Sequence, residues 1–196
     1  MTSYSERIQK FQQIMDADVV FLPISSDLQY LTGVPRDIPN FGATIHPGAW
    51  LEGAWISPKY APVATLSRMS AELSGMQDQV KGVELRVLGD WDDPSKLVAD
   101  ILKSFNLPAK PRVAISNWSE GETIIHLQAL LPDAIFISAT DQLRAMRVIK
   151  SQDEIDIMKR AGAVTEAAFA DVLRHLKIGM TELDAITEVD YQMRRH

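Results

Sequence analysis

The sequence contains no cysteine, no long apolar run and no excess of positive charge. The absence of cysteine excludes disulfides and thiolate metal ligands and fits a cytoplasmic protein. No apolar run approaches the roughly 20 residues that cross a bilayer, so we expect no membrane partner. The first residues are polar and form no apolar core of a signal peptide, so we expect no leader.

The charge balance is mildly acidic, with 20 Lys and Arg against 26 Asp and Glu and a formal net charge of -6. Binding to a phosphate backbone requires clustered cations, so nucleic acid is not an expected partner. The 196 residues are 46% hydrophobic, which is typical of a globular protein. This length suits one domain, or one domain with part of another.

Strand-like and helical patterns alternate through the first two-thirds of the chain, which predicts an α/β fold. The predicted strands are 18–22, 49–56, 61–66, 83–88, 112–116 and 134–138. The predicted helices are 5–15, 25–31, 67–75, 93–102 and 119–131. Asp93 followed by Pro94 marks a helix start, and Ser119 with Glu122 has the form of a capping box.

The pattern changes after Thr140, where only helices follow. Ser151 and Glu154 predict a capping box that opens a long helix, with an apolar stripe from Ile155 to Leu176. A second helix begins after Thr181. We expect the chain to stop inside a second domain, the alternative being a natural helical tail. The stripe should then pack on the first domain or on another chain.

Few residues suggest chemistry by themselves. No nucleophile elbow, phosphate loop or zinc-binding helix motif is present, so we assign no catalytic residue and no metal ligand. The eleven-residue spacing of Asp16 and Asp27 favours helix capping over metal binding. His46 lies in a loop rich in proline and glycine that either recognises a ligand or is a stiff surface crossover.

Three short segments carry a family resemblance. Asp27-Leu28-Gln29-Tyr30-Leu31-Thr32-Gly33 resembles a motif in the amino-terminal domain of prolidases, Xaa-Pro aminopeptidases and creatinases. The segment from Leu143 to Ile155, with Arg147 and Lys150-Ser151, resembles the junction before the catalytic domain of that family. Gly179-Met180-Thr181-Glu182 is similar to the turn between the first two helices of that domain.

The resemblance implies a mixed sheet flanked by helices, a ribonuclease-H-like arrangement, over residues 1–142. Residues 143–196 would be the linker and first two helices of an incomplete pita-bread catalytic domain. The full-length protein would then be a Xaa-Pro dipeptidase or aminopeptidase with two divalent metal ions (Mn, Co or Zn), and it would form a homodimer. This segment would hold no cofactor and would be inactive alone.

The family also implies a role for the loop after Gly33, because amino-terminal domains of this kind often lend a loop to the partner's active site. The candidates for substrate gating are Arg36, Phe41, His46 and Trp50. Two alternatives stay open: a creatinase-like C–N hydrolase of a small amide or guanidino compound, and a non-catalytic binding module.

Overall fold

The computed structural model describes residues 3–36, 46–75 and 82–196. The chain divides after Val148 into two compact units, Thr2–Val148 and Ile149–His196. In the described residues no helix is long and apolar enough to cross a membrane.

A mixed six-stranded sheet forms the centre of the first unit. Its strands are β1 (Val19–Pro23), β2 (Gly53–Ile56), β3 (Val63–Ser67), β4 (Glu84–Leu88), β5 (Arg112–Ile115) and β6 (Ile135–Ser138). The spatial order is β4-β3-β2-β1-β5-β6. Only β2 runs against its neighbours, because β1 pairs antiparallel with β2 and parallel with β5. The carboxyl ends of the other strands therefore share one edge of the sheet with the amino end of β2, and we call it the carboxyl edge.

The described residues of this unit also form the helices α1 (Tyr4–Ile14), α2 (Ser26–Thr32), α3 (Arg68–Ser74), α4 (Pro94–Ser104), α5 (Gly121–Leu130) and α6 (Thr140–Val148). A short 3-10 helix spans Ala49–Leu51.

Helices cover both faces of the sheet because successive strand residues point to opposite faces. In β1, Val20 and Leu22 pack in the cluster that holds buried residues of α1, α2, α3 and α6. Val19 and Phe21 pack in the other cluster, with α4, α5 and the 3-10 helix. The predicted α/β fold with a mixed sheet flanked by helices is therefore confirmed.

The segment that resembles the family motif joins three helices. Asp27, which is 5% exposed, forms an ion pair with Arg147 of α6. The hydroxyl of Tyr30 donates to the carbonyl of Met146 at 3.0 Å, and the guanidinium of Arg7 donates to the carbonyl of Tyr30 at 2.8 Å. These contacts fix α1, α2 and α6 to one another.

Gly33 ends α2 in a left-handed conformation, with φ of 82°. Its N–H donates to the carbonyl of Gln29 at 2.9 Å. A Cβ atom at this position would lie 2.7 Å from the ring of Tyr4. Both the backbone conformation and the close packing therefore require glycine here.

Several predicted boundaries need correction. Residues Ala49–Leu51 form a 3-10 helix, whereas the sequence predicted a strand from residue 49. The predicted capping box at Ser119 is wrong, because α5 begins one residue later, with Glu120 as its N-cap and no side-chain cap bond. Helix α6 was not predicted, since its hydrophobic pattern is short and its stability comes from contacts distant in sequence.

The second unit is a helical hairpin of α7 (Gln152–His175) and α8 (Glu182–Arg195). Ser151 and Thr181 each form a capping box, and the one at Ser151 confirms its prediction. Within the hairpin, Ala168 and Val172 are buried, whereas Met158 and Phe169 of the predicted stripe are 59% and 62% exposed. The stripe is therefore covered only in part, at two positions in its carboxyl-terminal half.

Candidate functional site

Within the described residues, the carboxyl-terminal part of the predicted gating loop begins at His46, which starts a tight turn before β2. The carbonyl of His46 accepts from Ala49 N–H at 3.0 Å, and its Nδ1 lies 3.2 Å from the N–H of Gly48. Because that N–H is a donor, Nδ1 accepts, so the proton of a neutral ring lies on Nε2. Nε2 faces Oε1 of Glu52 at 3.6 Å. The backbone and one carboxylate together orient the imidazole.

Glu52 connects this turn to the sheet. Its Oε1 accepts from the N–H of Ser67 at 2.9 Å, at the end of β3. Its carbonyl accepts from the N–H of Ile24 at 3.3 Å, just after β1. The side chain of Glu52 is 21% exposed and that of His46 is 36% exposed. The pair is thus half-buried and lies on the carboxyl edge, where open α/β sheets commonly bind ligands.

Trp50 is a packing residue in this structure, with only 3% of its surface exposed. Its ring stacks on His126 of α5, with centroids 4.4 Å apart and an interplanar angle of 13°. Its carbonyl accepts from the hydroxyl of Thr123 at 2.9 Å. Nε2 of His126 lies 3.6 Å from Oε1 of Glu122. Trp50 therefore anchors the turn to α5.

The hydroxyl of Thr65 in β3 also anchors this turn to the sheet. The hydroxyl of Thr65 in β3 accepts from Nε1 of Trp55 at 3.1 Å and donates to the carbonyl of Leu51. All three residues are fully buried. Because this buried hydroxyl both accepts and donates a hydrogen bond, it holds Leu51, the last residue of the 3-10 helix, against β3.

Gly48 is needed where the turn meets β4. A Cβ atom at this position would lie 2.1 Å from Cδ2 of Leu88, which is far inside van der Waals contact. The turn therefore lies against the end of β4, and a larger residue at this position would have to displace the buried Leu88 side chain.

The structure brings His46 and Trp50 into one turn. Arg36 is an exposed residue at the end of the first described range, and Phe41 lies outside the described residues. Sequence reasoning missed Glu52 and His126 as neighbours of this turn. The stack of His126 on Trp50 joins distant parts of the chain, and the contact of Glu52 with His46 depends on the conformation of the turn, so no local sequence pattern predicts either.

Two exposed tryptophans were also missed. Trp91, in the turn after β4, is 99% exposed, and Trp118, after β5, is 58% exposed. Both follow strands whose ends lie on the carboxyl edge. Single exposed apolar side chains are common on protein surfaces, so exposure alone assigns neither tryptophan a role.

The described residues contain no group of three or more His, Asp or Glu side chains that could hold a metal ion. Asp16 pairs with Arg112 at 2.8 Å, while the partner of Asp27 is Arg147. These two aspartates therefore join separate structural ion pairs.

Comparisons with known proteins agree with this architecture. Over 133 residues the chain is 32% identical to a Mycobacterium tuberculosis protein described as "Probable dipeptidase PepE", covering 66% of this chain and 33% of that one. The fold matches a prolidase from Thermococcus sibiricus with a TM-score of 0.80 at 18% identity, over 99% of this chain and 50% of that one. No protein-family model matches the chain.

A third comparison concerns the amino-terminal region alone. The creatinase/prolidase N-terminal domain of a Streptococcus pyogenes X-Pro dipeptidase matches with a TM-score of 0.54 at 12% identity, over 73% of this chain and 99% of that domain. The predicted resemblance to the amino-terminal part of prolidase-type peptidases is therefore confirmed. The matched part spans about a third of the curated relative and half of the Thermococcus prolidase.

Proposed function

We propose that the chain is the accessory domain, for dimerisation and substrate gating, of a metal-dependent peptidase that cleaves next to proline. A Xaa-Pro dipeptidase or aminopeptidase fits best. The observation that supports this is the 32% identity with a dipeptidase-like relative over two-thirds of the chain. Similar proteins include one described as Xaa-Pro dipeptidase, from Lactobacillus delbrueckii, which is 28% identical over 112 residues.

In this proposal residues 1–142 form the accessory domain and residues 143–196 lead into a catalytic domain. Two divalent ions, Mn, Co or Zn, would act in the intact enzyme as Lewis acids that activate water. The described residues offer no ligand cluster for them, so we assign no hydrolytic step to this chain. We further propose a homodimer in the cytoplasm and an inactive isolated segment.

The gating role would fall on the loop that ends at His46, with Arg36 and Phe41 as further contacts. The neutral ring offers an Nε2–H donor, and a protonated ring adds a positive charge. Either form suits the carbonyl or terminal carboxylate of a short peptide. Trp50 is buried, so its part would be to hold the turn in place.

The experiment that tests the activity compares two proteins. Hydrolysis of a Xaa-Pro dipeptide is measured for the intact gene product and for this 196-residue chain, with and without Mn²⁺ or Co²⁺. We expect metal-dependent cleavage by the intact protein alone. Cleavage by neither would favour the creatinase-like hydrolase or the binding module, and cleavage by the short chain would contradict the accessory role.

A second experiment tests the gating residues in the intact protein. We expect Arg36→Ala and His46→Gln each to lower kcat/KM by about tenfold, the effect of one lost charge-assisted contact. His175→Gln, on the helical hairpin, is the matched control. An unchanged kcat/KM for a gating variant would remove that residue from the proposal.

A further inference from the structure

A cavity lies at the edge of the sheet opposite to the carboxyl edge, where His46 is found. It has a volume of about 330 Å³ and lies between the β2–β3 turn and the segment that follows α4. Its walls include Asp18, Lys59, Tyr60, Phe105 and Asn106. This volume is at the lower end of the range for small-molecule sites, about 300–1,000 Å³.

The two sides of the cavity are held in place by hydrogen bonds. The side-chain amide of Gln12 donates to the carbonyls of Ser57 and Tyr60, at 2.7 and 2.9 Å, which fixes the β2–β3 turn. On the other side, the N–H of Asn106 donates to the carbonyl of Lys103 at 3.1 Å. The φ of Asn106 is 50°, a left-handed conformation that is uncommon for a residue other than glycine. Such a preformed site loses little conformational entropy when it binds a ligand.

An aromatic pair forms the apolar wall. The rings of Tyr60 and Phe105 are stacked with centroids 6.0 Å apart and an interplanar angle of 23°. Both residues line the cavity. Phe105 is buried, with 4% of its surface exposed, whereas Tyr60 is 40% exposed. A flat apolar ring would extend this stack.

Two opposite charges line the same cavity without pairing. Oδ2 of Asp18 accepts from the N–H of Arg112 at 2.8 Å, which orients the carboxylate and leaves its other oxygen to accept elsewhere. In the part of the chain that the structure describes, Lys59 forms no ion pair and Asp18 has no salt bridge. An ammonium group and a carboxylate on one ligand would satisfy both charges.

We propose that this cavity binds a small zwitterion that carries an apolar ring, a free amino acid or a dipeptide. The ligand's ammonium would meet Asp18, its carboxylate Lys59, and its ring the Tyr60–Phe105 pair. The site is separate from the proposed gating loop, because none of the four gating candidates lines the cavity.

The test is a titration of this chain, followed by amide NMR shifts, with L-phenylalanine and two ligands that each lack one charge, phenethylamine and 3-phenylpropionate. We expect phenylalanine to shift the amides around residues 57–60 and 105–107 with a Kd in the mM range. Each singly charged ligand should bind about tenfold more weakly or worse. A parallel titration with Gly-Phe shows whether a dipeptide binds as well as a free amino acid does, and binding of either supports the proposal.

Variants locate the two charges. Asp18→Asn keeps an acceptor for the N–H of Arg112 while removing the charge, and Lys59→Gln removes the cation. We expect Lys59→Gln to weaken phenylalanine about tenfold without affecting phenethylamine. Lys96→Gln, at the other end of α4, is the control and should change nothing. The proposal is overturned by no response at about 20 mM, by equal binding of all three ligands, or by equal effects of Lys59→Gln and Lys96→Gln.

Discussion

The ion pair between Asp27 and Arg147 should contribute measurably to the stability of the first unit. The side chain of Asp27 is 8% exposed and that of Arg147 is 42% exposed. Removing one partner of a fully buried pair costs about 3–5 kcal/mol, whereas exposed pairs contribute about 0–1 kcal/mol. Because Asp27 is buried and Arg147 is partly solvated, we expect Arg147→Met to lower the free energy of unfolding by about 2 kcal/mol. The lost energy is mainly that of an unpaired buried carboxylate.

Thermal unfolding monitored by near-ultraviolet circular dichroism provides the assay. A loss of about 2 kcal/mol corresponds to a fall in Tm of roughly 4–8 °C for a domain of this size. Arg144→Met, an exposed arginine on the same helix, is the control and should change Tm by roughly 1–2 °C at most.

A double-mutant cycle separates the pair from other effects of the substitution. Asp27→Asn combined with Arg147→Met should cost less than the sum of the two single variants, with a coupling of at least about 1 kcal/mol. If Arg147→Met is as harmless as Arg144→Met, the pair is solvated in solution and the reasoning from burial is refuted.

Three further predictions concern packing and capping. Gly48→Ala should cost about 1–3 kcal/mol in urea unfolding because of its contact with Leu88, and Leu88→Ala should cost less in the Gly48→Ala background than in the parent. Thr65→Val should cost about 2 kcal/mol in the same assay, since it removes a buried hydroxyl with two partners; Ser5→Ala, at an exposed position of α1, is the control. Hydrogen bonds from the backbone and hydroxyl of Thr181 lower the pKa of Asp184 from its ordinary value of 3.8. The ionised carboxylate of Asp184 therefore stabilises the folded state in full above about pH 3.8, and this stabilisation is lost as the pH falls through the lower pKa of the folded state. We expect Asp184→Asn to flatten the acid dependence of helical circular dichroism. An unchanged acid profile would contradict the capping role.

The elements that the sequence predicted well are those whose signals are local. Asp93 accepts from the N–H groups of Ser95 and Lys96 and begins α4, as the Asp-Pro pair indicated. The capping box at Ser151 likewise involves residues three apart. Such contacts depend on a few neighbouring residues, so they can be predicted from a short stretch of sequence.

The sequence did not predict contacts between residues that lie far apart in the chain. The antiparallel placement of β2 and the stack of Trp50 on His126 join residues that are far apart in the chain. Loop composition identified Trp50 as a candidate for substrate contact, but composition carries no information on burial. Only the register of the sheet and the position of α5 show that the ring is covered.

Two of the three motifs that carry the resemblance pack against each other in this chain. Asp27 and Tyr30 come from one motif, and Arg147 comes from another, about 120 residues later. The structure joins them through an ion pair and places the guanidinium of Arg147 5.9 Å from the ring centroid of Tyr30. Because the two motifs contact each other, they form one packing unit between α2 and α6. Their presence therefore supports the fold more strongly than the chemistry.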